Sequence, residues 1–341
     1  MGSTHNRVRW GVLGVASIAV RRAIPGMQEG QWSEVAAIAS RDLRKAEDAA
    51  RKLGVAKAYG SYEALLADPD IEAVYNPLPN DLHTPWSIQA AEAGKHVLCE
   101  KPLSTAVADA RKLLAVRDRT GVKIGEAFMV RTHPRWLRAR ELIRAGRIGQ
   151  LRLISGQFTY FNRHPADIRN IREAGGGALL DMGCYPITLS RFIYGEEPVR
   201  AWGSIERDPQ TKIDRITSAI LEFPSGQSTF TCSTQLVHFQ RMQLLGTLGR
   251  MEIHSPINPP VGQPSRILID DGKGPSGPGV TTEVFKHADQ FTVQGDLFSK
   301  AIRDHGEVPV PIEDSIGNIA VIEAVFRSAE SGKWERPQDF L

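Results

Sequence analysis

A small-residue loop near the amino terminus constrains the fold of this chain more than any other feature. Gly14, Ala16 and Ala19 follow the spacing of a dinucleotide-binding turn. The loop comes directly after the apolar run Val8–Leu13 and opens a predicted helix at Ile18–Glu29. Small residues let the backbone turn tightly and approach a pyrophosphate, whose charge then faces the amino terminus of the helix. Alanine at the second motif position weakens the motif when it is taken alone.

Short apolar runs alternate with helical patterns from Val8 to about Met129, as is typical of a parallel sheet covered on both faces. The later part of the chain instead shows longer predicted strands joined by tight turns, which indicates a mostly antiparallel sheet. At 341 residues the chain is long enough for two domains. We therefore predict an α/β protein with a doubly wound Rossmann domain over residues 1–127. Residues 128–341 are expected to form an α/β domain with an open, mostly antiparallel sheet.

Four finer predictions concern individual elements. The pair Thr84-Pro85 predicts a helix that begins there and ends near Ala93. A strand is expected over Gln227–Leu236 and another over Met242–Leu245. The Pro- and Gly-rich stretch Ser255–Gly279 is expected to be an irregular surface excursion.

Composition excludes several classes of function. The formal charge is only +3, and no basic block suits a phosphate backbone, so a nucleic-acid partner is not expected. No apolar stretch approaches ~18 residues, which argues against a membrane-spanning protein. The three cysteines form no CxxC pair and suit a reducing compartment, with the cytoplasm as the expected location. The nine histidines show no metal-ligand spacing, so no metal site is expected.

The end of the second predicted strand bears on the choice of cofactor. An acidic residue there holds the ribose 2′-hydroxyl of NAD(H), whereas this chain reads Ala39-Ser40-Arg41-Asp42. Ser40 and the permanently charged fork of Arg41 suit a 2′-phosphate, which favours NADP(H). Two alternatives stay open: Arg41 is solvated while Asp42 caps the next helix, or Asp42 binds the ribose of NAD(H).

Two further segments carry groups suited to redox chemistry. Glu100-Lys101-Pro102 follows the fifth predicted strand and places a lysine at the carboxyl edge of the sheet. A run of three glycines, Gly175–Gly177, precedes Asp181 and Tyr185, which share one face if this segment is helical.

Together these pieces resemble the Gfo/Idh/MocA oxidoreductases. The resemblance covers most of the chain and is carried, in order, by the opening loop, Asn76-Pro77-Leu78-Pro79-Asn80 with His83, Glu100-Lys101-Pro102, Gly175–Gly177 and Asp181-xxx-Tyr185. The tyrosine, where inositol dehydrogenase has histidine, looks like the branch of glucose–fructose oxidoreductase, NADP xylose dehydrogenase and dimeric dihydrodiol dehydrogenase. The resemblance implies the two domains above, and a homo-oligomer (dimer or tetramer) built through the C-terminal sheet.

The resemblance also implies catalytic roles for Lys101, Tyr185 and Asp181. Oxidising a carbinol requires a base for the hydroxyl proton, and lowering a tyrosine pKa from about 10 to 7 requires about 4 kcal/mol. A lysine ammonium at about 4 Å supplies about that much at an effective dielectric near 20. Asp181 is better suited to orient a hydroxyl or Lys101. The alternative is purely structural: a surface lysine, a core tyrosine and a helix cap.

The remaining candidates divide between cofactor and substrate. The expected cofactor contacts are Gly14, Ala16, Ser17, Ile18, Ser40, Arg41, Pro77, Leu78, Asn80, His83, Glu100 and Lys101. For His83, a place before a cap at Thr84 is an equal alternative to the nicotinamide site. The expected substrate contacts are Arg131, Arg163, Asp167, Arg169 and Asn170, although charged residues are more often simply solvated.

These features favour an NAD(P)-dependent dehydrogenase or reductase acting on a sugar or related polyol. One alternative is a glycosidase of the same family, in which tightly held NAD oxidises a sugar hydroxyl transiently so that elimination breaks the glycosidic bond. A non-catalytic nucleotide sensor is a third class. Retention of Lys101 and Tyr185 argues against it.

Overall fold

The computed structural model describes residues 7–260, 262–274, 279–286 and 288–341. The chain forms two compact units, Met1–Thr132 with Asp289–Ser315, and His133–Ala288 with Ile316–Leu341. This division differs from the one expected at residue 127, because a late segment returns to the first unit. The domain bounds 1–127 and 128–341 themselves stay a prediction.

The first unit is built on parallel strands. They are β1 (Val8–Leu13), β2 (Ser33–Ala39), β3 (Lys57–Tyr59), β4 (Ala73–Asn76), β5 (His96–Cys99) and β6 (Ile124–Glu126). In the described chain they form one six-stranded sheet in the order β3-β2-β1-β4-β5-β6. This is the order of a doubly wound dinucleotide-binding sheet, whose winding reverses between β1 and β4, so the predicted Rossmann architecture is confirmed.

Helices connect these strands and repeat the expected pattern. They are α1 (Ile24–Gln28), which continues a π-helical turn (Ala19–Ala23), then α2 (Leu43–Leu53), α3 (Tyr62–Leu66), α4 (Asn80–Glu92) and α5 (Val107–Thr120). Asp42 caps α2 by accepting hydrogen bonds from the N–H groups of Arg44 and Lys45. Gly54 ends the same helix with φ of +66°, a conformation that favours glycine.

A late helix, α8 (Gln290–Arg303), completes the core of the first unit. The fully buried Trp10 of β1 donates its indole N–H to Ser299 Oγ at 3.0 Å. Its ring lies 5.5 Å from that of Phe298, which is also fully buried. Burial of two aromatic side chains makes this contact a major apolar part of the unit.

The second unit contains a larger sheet. Its strands are β7 (Leu151–Phe161), β8 (Arg200–Arg207), β9 (Asp214–Glu222), β10 (Gln227–Ser233), β11 (Gln235–Gly246), β12 (Arg250–His254), β13 (Ser265–Asp270) and β14 (Val280–Phe285). Within the described residues their order is β14-β13-β12-β11-β7-β10-β9-β8. Only the β7–β10 pairing there is parallel. The expected open, mostly antiparallel sheet is therefore confirmed.

One face of this sheet is apolar and buried, whereas the other is polar and half-exposed. The helices of the unit are α6 (Pro134–Arg144), α7 (Cys184–Tyr194) and α9 (Ile312–Ser331), which begins in the first unit. Buried inward side chains include those of Ile154, Phe230 and Leu244. On the opposite face, Ser218 hydrogen-bonds to Thr231 at 2.9 Å.

Three predicted elements were wrong in detail. Helix α4 begins at Asn80 rather than at Pro85, which lies inside the helix. The expected strand 227–236 breaks at Thr234, and residue 235 starts β11, which bulges before pairing with β7 again at Phe239. The expected irregular stretch 255–279 contains β13, although residues 261 and 275–278 lie outside the described chain.

Candidate active site

The first strand of the Rossmann unit ends in a turn that requires glycine. Gly14 has φ of +97° and donates its N–H to the Ala39 carbonyl at 2.8 Å. The positive φ disfavours any residue with a Cβ, and a Cβ here would also lie only 3.0 Å from Leu78 Cδ2, a tight contact. Helical residues begin at the exposed Ser17, with the half-exposed Ile18 beside it. The turn thus fits a pyrophosphate at the helix amino terminus.

Ala16 occupies the second motif position and is half-exposed. Its carbonyl accepts the Val20 N–H at 3.0 Å, which is a first helical hydrogen bond. The helix then widens into the π-helical turn Ala19–Ala23 before α1. Such turns occur often at functional sites.

The segment after β2 exposes the positive charge of Arg41, whereas its acidic residue, Asp42, caps the next helix. Asp42 Oδ1 accepts from the Arg44 and Lys45 N–H groups, so this carboxylate is engaged as the cap of α2. Arg41 is exposed, and its side chain hydrogen-bonds to the buried Tyr62. Burial raises the pKa of Tyr62, although Arg41 opposes the shift.

Two buried side chains shape the loop that follows β4. Asn76 donates to the His83 carbonyl and to Ser87 Oγ, both at 3.1 Å, and accepts from the Leu78 N–H at 3.3 Å. His83 is 1% exposed, and its ring nitrogens each lie 2.7 Å from a carbonyl oxygen, that of Leu78 or that of Pro102. Burial lowers the pKa of His83 to about 4, although the contacts with the two carbonyl oxygens oppose this shift.

His83 therefore ties the loop after β4 to the loop after β5 and does not precede a helix cap. His83 is the fourth residue of α4, and the backbone that its ring contacts belongs to Leu78 and Pro102. Pro77 and Leu78 are buried, whereas Asn80, the first residue of the helix, is half-exposed. Among Pro77, Leu78, Asn80 and His83, Asn80 is the most exposed to solvent.

Glu100 and Lys101 follow β5 at the carboxyl edge of the sheet. Glu100 is 9% exposed and accepts the Tyr75 hydroxyl at 2.6 Å and the Lys101 N–H at 3.2 Å. Lys101 is half-exposed, and its charge contributes to the lowered pKa of His83. Glu100 thus supports the backbone of Lys101 from inside the fold, while the lysine itself reaches the surface of the unit.

Arg131, an expected substrate contact, is engaged within the first unit. Its guanidinium donates to Asp314 Oδ2 at 2.8 Å, and the two side chains are only 13% and 23% exposed. This ion pair joins the segment Met129–Thr132 to the start of α9. The structure therefore gives Arg131 a structural partner.

In the second unit, a glycine run and a distant aspartate together start the helix that carries the predicted catalytic pair. Gly177 has φ of +124°, and a Cβ there would overlap Asp214 Oδ1. Asp214 Oδ2 accepts the Leu179 N–H at 2.6 Å and the Thr217 hydroxyl at 2.9 Å. Asp214 thus caps the π-helical turn Leu179–Gly183, which continues into α7. Burial raises the pKa of Asp214 to about 6.

Asp181 lies at the centre of a polar network on this turn. Its Oδ2 accepts the Tyr160 hydroxyl at 2.7 Å and lies 3.4 Å from Arg169 Nε. Arg169 also donates to Asp167 Oδ1 at 3.3 Å. Burial and the Asp181 charge raise the pKa of Tyr160, and Asp181 raises that of Arg169. The phenol and guanidinium are thus held as donors, which favours the ionised form of Asp181.

Tyr185 faces the same strand as Asp181. Its ring centroid lies 5.9 Å from that of Phe158, and the side chain is 5% exposed. Phe158 and Tyr160 are two residues apart on β7 and therefore point to the same face of the sheet. The structure thus brings Asp181 and Tyr185 together on one side of their helix, as the spacing predicts.

The other expected substrate contacts have different surroundings. Arg163 is exposed, whereas Asn170 is buried and donates to the His164 carbonyl at 3.0 Å. Asp167 caps the short turn Ile168–Asn170 by accepting the Arg169 N–H. Asn170 and Asp167 thus hold the local backbone. No group of three metal-binding side chains is found among the described residues.

Sequence reasoning missed Tyr62, Tyr75, Tyr160 and Asp214. Each reaches its partner across the fold, so no local spacing marks it. The exception is Tyr160, which is two residues from Phe158 on an alternating strand and so belongs to the face directed at the helix.

Comparisons with known proteins agree with this architecture. Residues 8–128 match a family model described as an oxidoreductase family with an NAD-binding Rossmann fold, and residues 136–252 match the GFO/IDH/MocA C-terminal domain. An uncharacterised oxidoreductase of Rhizobium meliloti is 46% identical over 96% of this chain and 98% of its own. D-xylose 1-dehydrogenase (NADP(+)) 2 of Haloferax volcanii is 37% identical over 95% and 98%.

A solved structure shows the same fold. It is a 3-ketoreductase from Actinomadura kijaniata in complex with NADP and TDP-benzene, 30% identical, with a TM-score of 0.88 over 95% of this chain and 98% of that one. The fold and these matches thus define a nicotinamide-dependent oxidoreductase with two domains. The chain belongs to the Gfo/Idh/MocA oxidoreductase family.

Proposed function

We propose that this protein transfers a hydride between NADP(H) and a CH–OH or carbonyl group of a sugar or related polyol. The observation that carries the proposal is the placement of Asp181 and Tyr185 on one helix against one face of β7. A tyrosine hydroxyl and a carboxylate placed in this way are suited to proton transfer during hydride chemistry. The similar xylose dehydrogenase and 3-ketoreductase support a sugar as substrate.

NADP(H) is the favoured cofactor, with NAD(H) as the alternative. Arg41 is exposed after β2, whereas Asp42 is engaged as a helix cap and is less available to a ribose hydroxyl. A guanidinium suits a 2′-phosphate. The Haloferax relative is named for NADP, and the Actinomadura structure contains it.

Bound NADP(H) would supply the hydride acceptor or donor at nicotinamide C4. Tyr185 would take the proton of the substrate hydroxyl during oxidation and return it during reduction. Lys101 would stabilise negative charge on the same oxygen, and Asp181 would accept a hydrogen bond from a substrate hydroxyl and orient it.

The test is turnover of a sugar panel, followed by the absorbance of reduced nicotinamide. Lys101→Met and Tyr185→Phe are each expected to lower kcat by about 10²- to 10⁴-fold, the range for a positioned proton-transfer group, while the Kd for NADP stays within a few-fold. Lys112→Met and Tyr194→Phe are matched controls, because these residues bond to Asp109 and to the Gln227 carbonyl.

Undiminished turnover in either catalytic variant would contradict its assigned role. Cleavage of glycosides without net change in reduced nicotinamide would instead support the glycosidase of this family. Binding of NADP with no reaction on any sugar would favour a sensor.

The half-exposed polar face of the second sheet supports a homo-oligomer built through this face. That face carries hydroxyls and amides that bond to one another, such as Ser218 with Thr231 and Gln243 with Glu252. It also carries half-exposed apolar side chains, such as Ile220 and Leu245. Light scattering should give a multiple of 37.5 kDa, and a monomer would contradict this part of the proposal.

Location in the cytoplasm is a further part of the proposal. The three cysteines are free thiols, and all three are buried. Free thiols suit a reducing compartment. Among the described residues, no helix is both long and apolar enough to cross a membrane.

A further inference from the structure

Tyr160 is the feature of the second unit that the proposed mechanism leaves unused. It is the tenth residue of β7, and its hydroxyl donates to Asp181 Oδ2 at 2.7 Å. Phe158, on the same face of the strand, packs on Tyr185. One strand thus contacts both members of the proposed catalytic pair, one through a hydrogen bond and the other through ring packing.

We propose that Tyr160 is a positioning residue that holds the Asp181 carboxylate ionised and fixed in direction for hydrogen bonding to the sugar. This inference rests on the proposed function, since it assigns Asp181 the role of acceptor. A hydrogen bond from a neutral donor to a carboxylate favours the ionised form and limits rotation about the side-chain torsions. Tyr160 acts through Asp181 and does not itself exchange a proton.

The surroundings of Asp181 allow this assignment. Arg169 approaches the same oxygen from the turn Ile168–Asn170, with Asp167 behind it. From β10, the buried thiol of Cys232 faces Asp181, and Asp181 contributes to its raised pKa. Tyr185 lies on the same helix as Asp181. Among these groups Arg169 is the charged partner and Tyr160 the neutral donor, so removing the Tyr160 hydroxyl leaves the net charge of the network unchanged.

The arrangement also limits what Asp181 can do. A carboxylate that accepts a hydrogen bond from a phenol and forms an ion pair with a guanidinium is a poor proton acceptor at neutral pH, because protonation would weaken both contacts. Tyr185, rather than Asp181, therefore exchanges the proton in the proposed reaction.

The experiment compares Tyr160→Phe with the matched control Tyr194→Phe, whose hydroxyl donates to the Gln227 carbonyl. We expect Tyr160→Phe to lower kcat/KM for the sugar about tenfold or more, as for loss of a hydrogen bond to a charged group. The Kd for NADP should not change. The acid limb of the kcat/KM profile should move to higher pH, by about 1 on the pH scale, because Asp181 loses a donor. The control should show neither effect.

A double-mutant cycle with Asp181→Asn separates positioning from direct contact. If Tyr160 acts through Asp181, the double variant loses no more activity than Asp181→Asn alone. Multiplied losses would overturn the inference, because they would mean that Tyr160 acts on the substrate independently. A Tyr160→Phe variant with the wild-type pH profile would overturn it as well.

A second measurement does not depend on turnover. With aspartate labelled at the side-chain carboxyl carbon, NMR titration gives the pKa of Asp181, assigned by the signal missing in Asp181→Asn. A higher pKa in Tyr160→Phe supports the inference, and an unchanged pKa refutes it. Wild-type protein that oxidises no sugar would refute the proposed function instead, while this titration would still decide the role of Tyr160.

Discussion

Gly14 and Gly177 are positions in the two units at which the fold disfavours substitution by any other residue. Gly14 is held by its positive φ and by Leu78, and Gly177 by its positive φ and by Asp214. A residue with a Cβ would adopt an unfavourable backbone angle at both positions, and at Gly177 the Cβ would also overlap Asp214. The glycines of both motifs are thus explained by packing before any ligand is considered.

Arg41 is the residue on which the cofactor preference depends. Its exposed guanidinium can form a charge-assisted hydrogen bond with a 2′-phosphate, which NAD lacks. Arg41→Ala is expected to raise the KM for NADP by about 10- to 100-fold, as for loss of one such bond, and to leave the KM for NAD within about twofold. Steady-state kinetics with both cofactors measure this.

The matched control for that experiment is Arg44→Ala, an exposed arginine in the first turn of α2. It removes the same charge nearby and should change neither constant by much. Equal losses with NADP and NAD in Arg41→Ala would contradict the 2′-phosphate assignment.

The helix that carries the proposed catalytic pair depends on a long-range cap. Asp214, at the start of β9, satisfies an N–H group at the start of the helix that carries Asp181 and Tyr185. Helix amino termini leave N–H groups without helical partners, and an aspartate is among the best side chains to accept from them. The position of the helix is therefore fixed from a strand rather than from its own sequence.

Asp214 predicts a specific pH dependence of stability. Burial raises its pKa from 3.8 to about 6, so the folded protein keeps this proton at pH values where the unfolded chain releases it. The resulting stabilisation is fully present below about pH 4 and is lost as the pH rises to about 6. Its size is about 3 kcal/mol, because a tenfold change in proton affinity corresponds to about 1.4 kcal/mol.

Asp214→Asn isolates this contribution. The free energy of unfolding of the wild type minus that of the variant, measured in urea, should fall between pH 4 and pH 6 and be constant above. Asp208→Asn is the opposite control, since hydrogen bonds from Gln235 and the Thr211 N–H lower the pKa of Asp208. Its difference should fall as the pH drops below about 4. A flat difference for Asp214→Asn would disprove the assignment.

Features that local interactions define could be predicted from the sequence, whereas features that depend on contacts between distant residues could not. Strand β1 has the bounds of the apolar run Val8–Leu13 that marks it in the sequence, because a local apolar pattern defines it. The start of helix α4 was predicted too late, because Pro85 by itself marks the first turn of a helix. The buried contacts of Asn76 and His83 accompany an earlier start, at Asn80. Asp181 and Tyr185 could be predicted from local spacing. Asp214, which supports their helix, could not, since it acts across the fold, whereas the alternation with Phe158 on β7 places Tyr160 on the face directed at the helix.

At the scale of the whole molecule, the return of residues 289–315 to the first unit has an experimental consequence. A fragment of residues 1–132 lacks α8, which supplies Ser299 and Phe298 to Trp10. It also loses Arg303, whose guanidinium pairs with Glu72 at 2.7 Å. We expect this fragment to unfold without cooperativity in thermal circular dichroism, since an apolar strand face and a buried indole N–H are left uncovered.

The same fragment joined through a Gly/Ser linker to residues 289–315 should unfold cooperatively. A fusion that carries those residues in scrambled order is the control and should not. Cooperative unfolding of residues 1–132 alone would show that α8 is dispensable for the first unit.

The late return of α8 also orders events on the ribosome. Trp10 leaves the ribosome before Ser299, because 289 residues separate the two along the chain. At about 5–20 residues per second this delay is roughly 15–60 s. Throughout that time the nascent amino-terminal sheet has an uncovered apolar surface, which makes it a candidate for chaperone binding during translation.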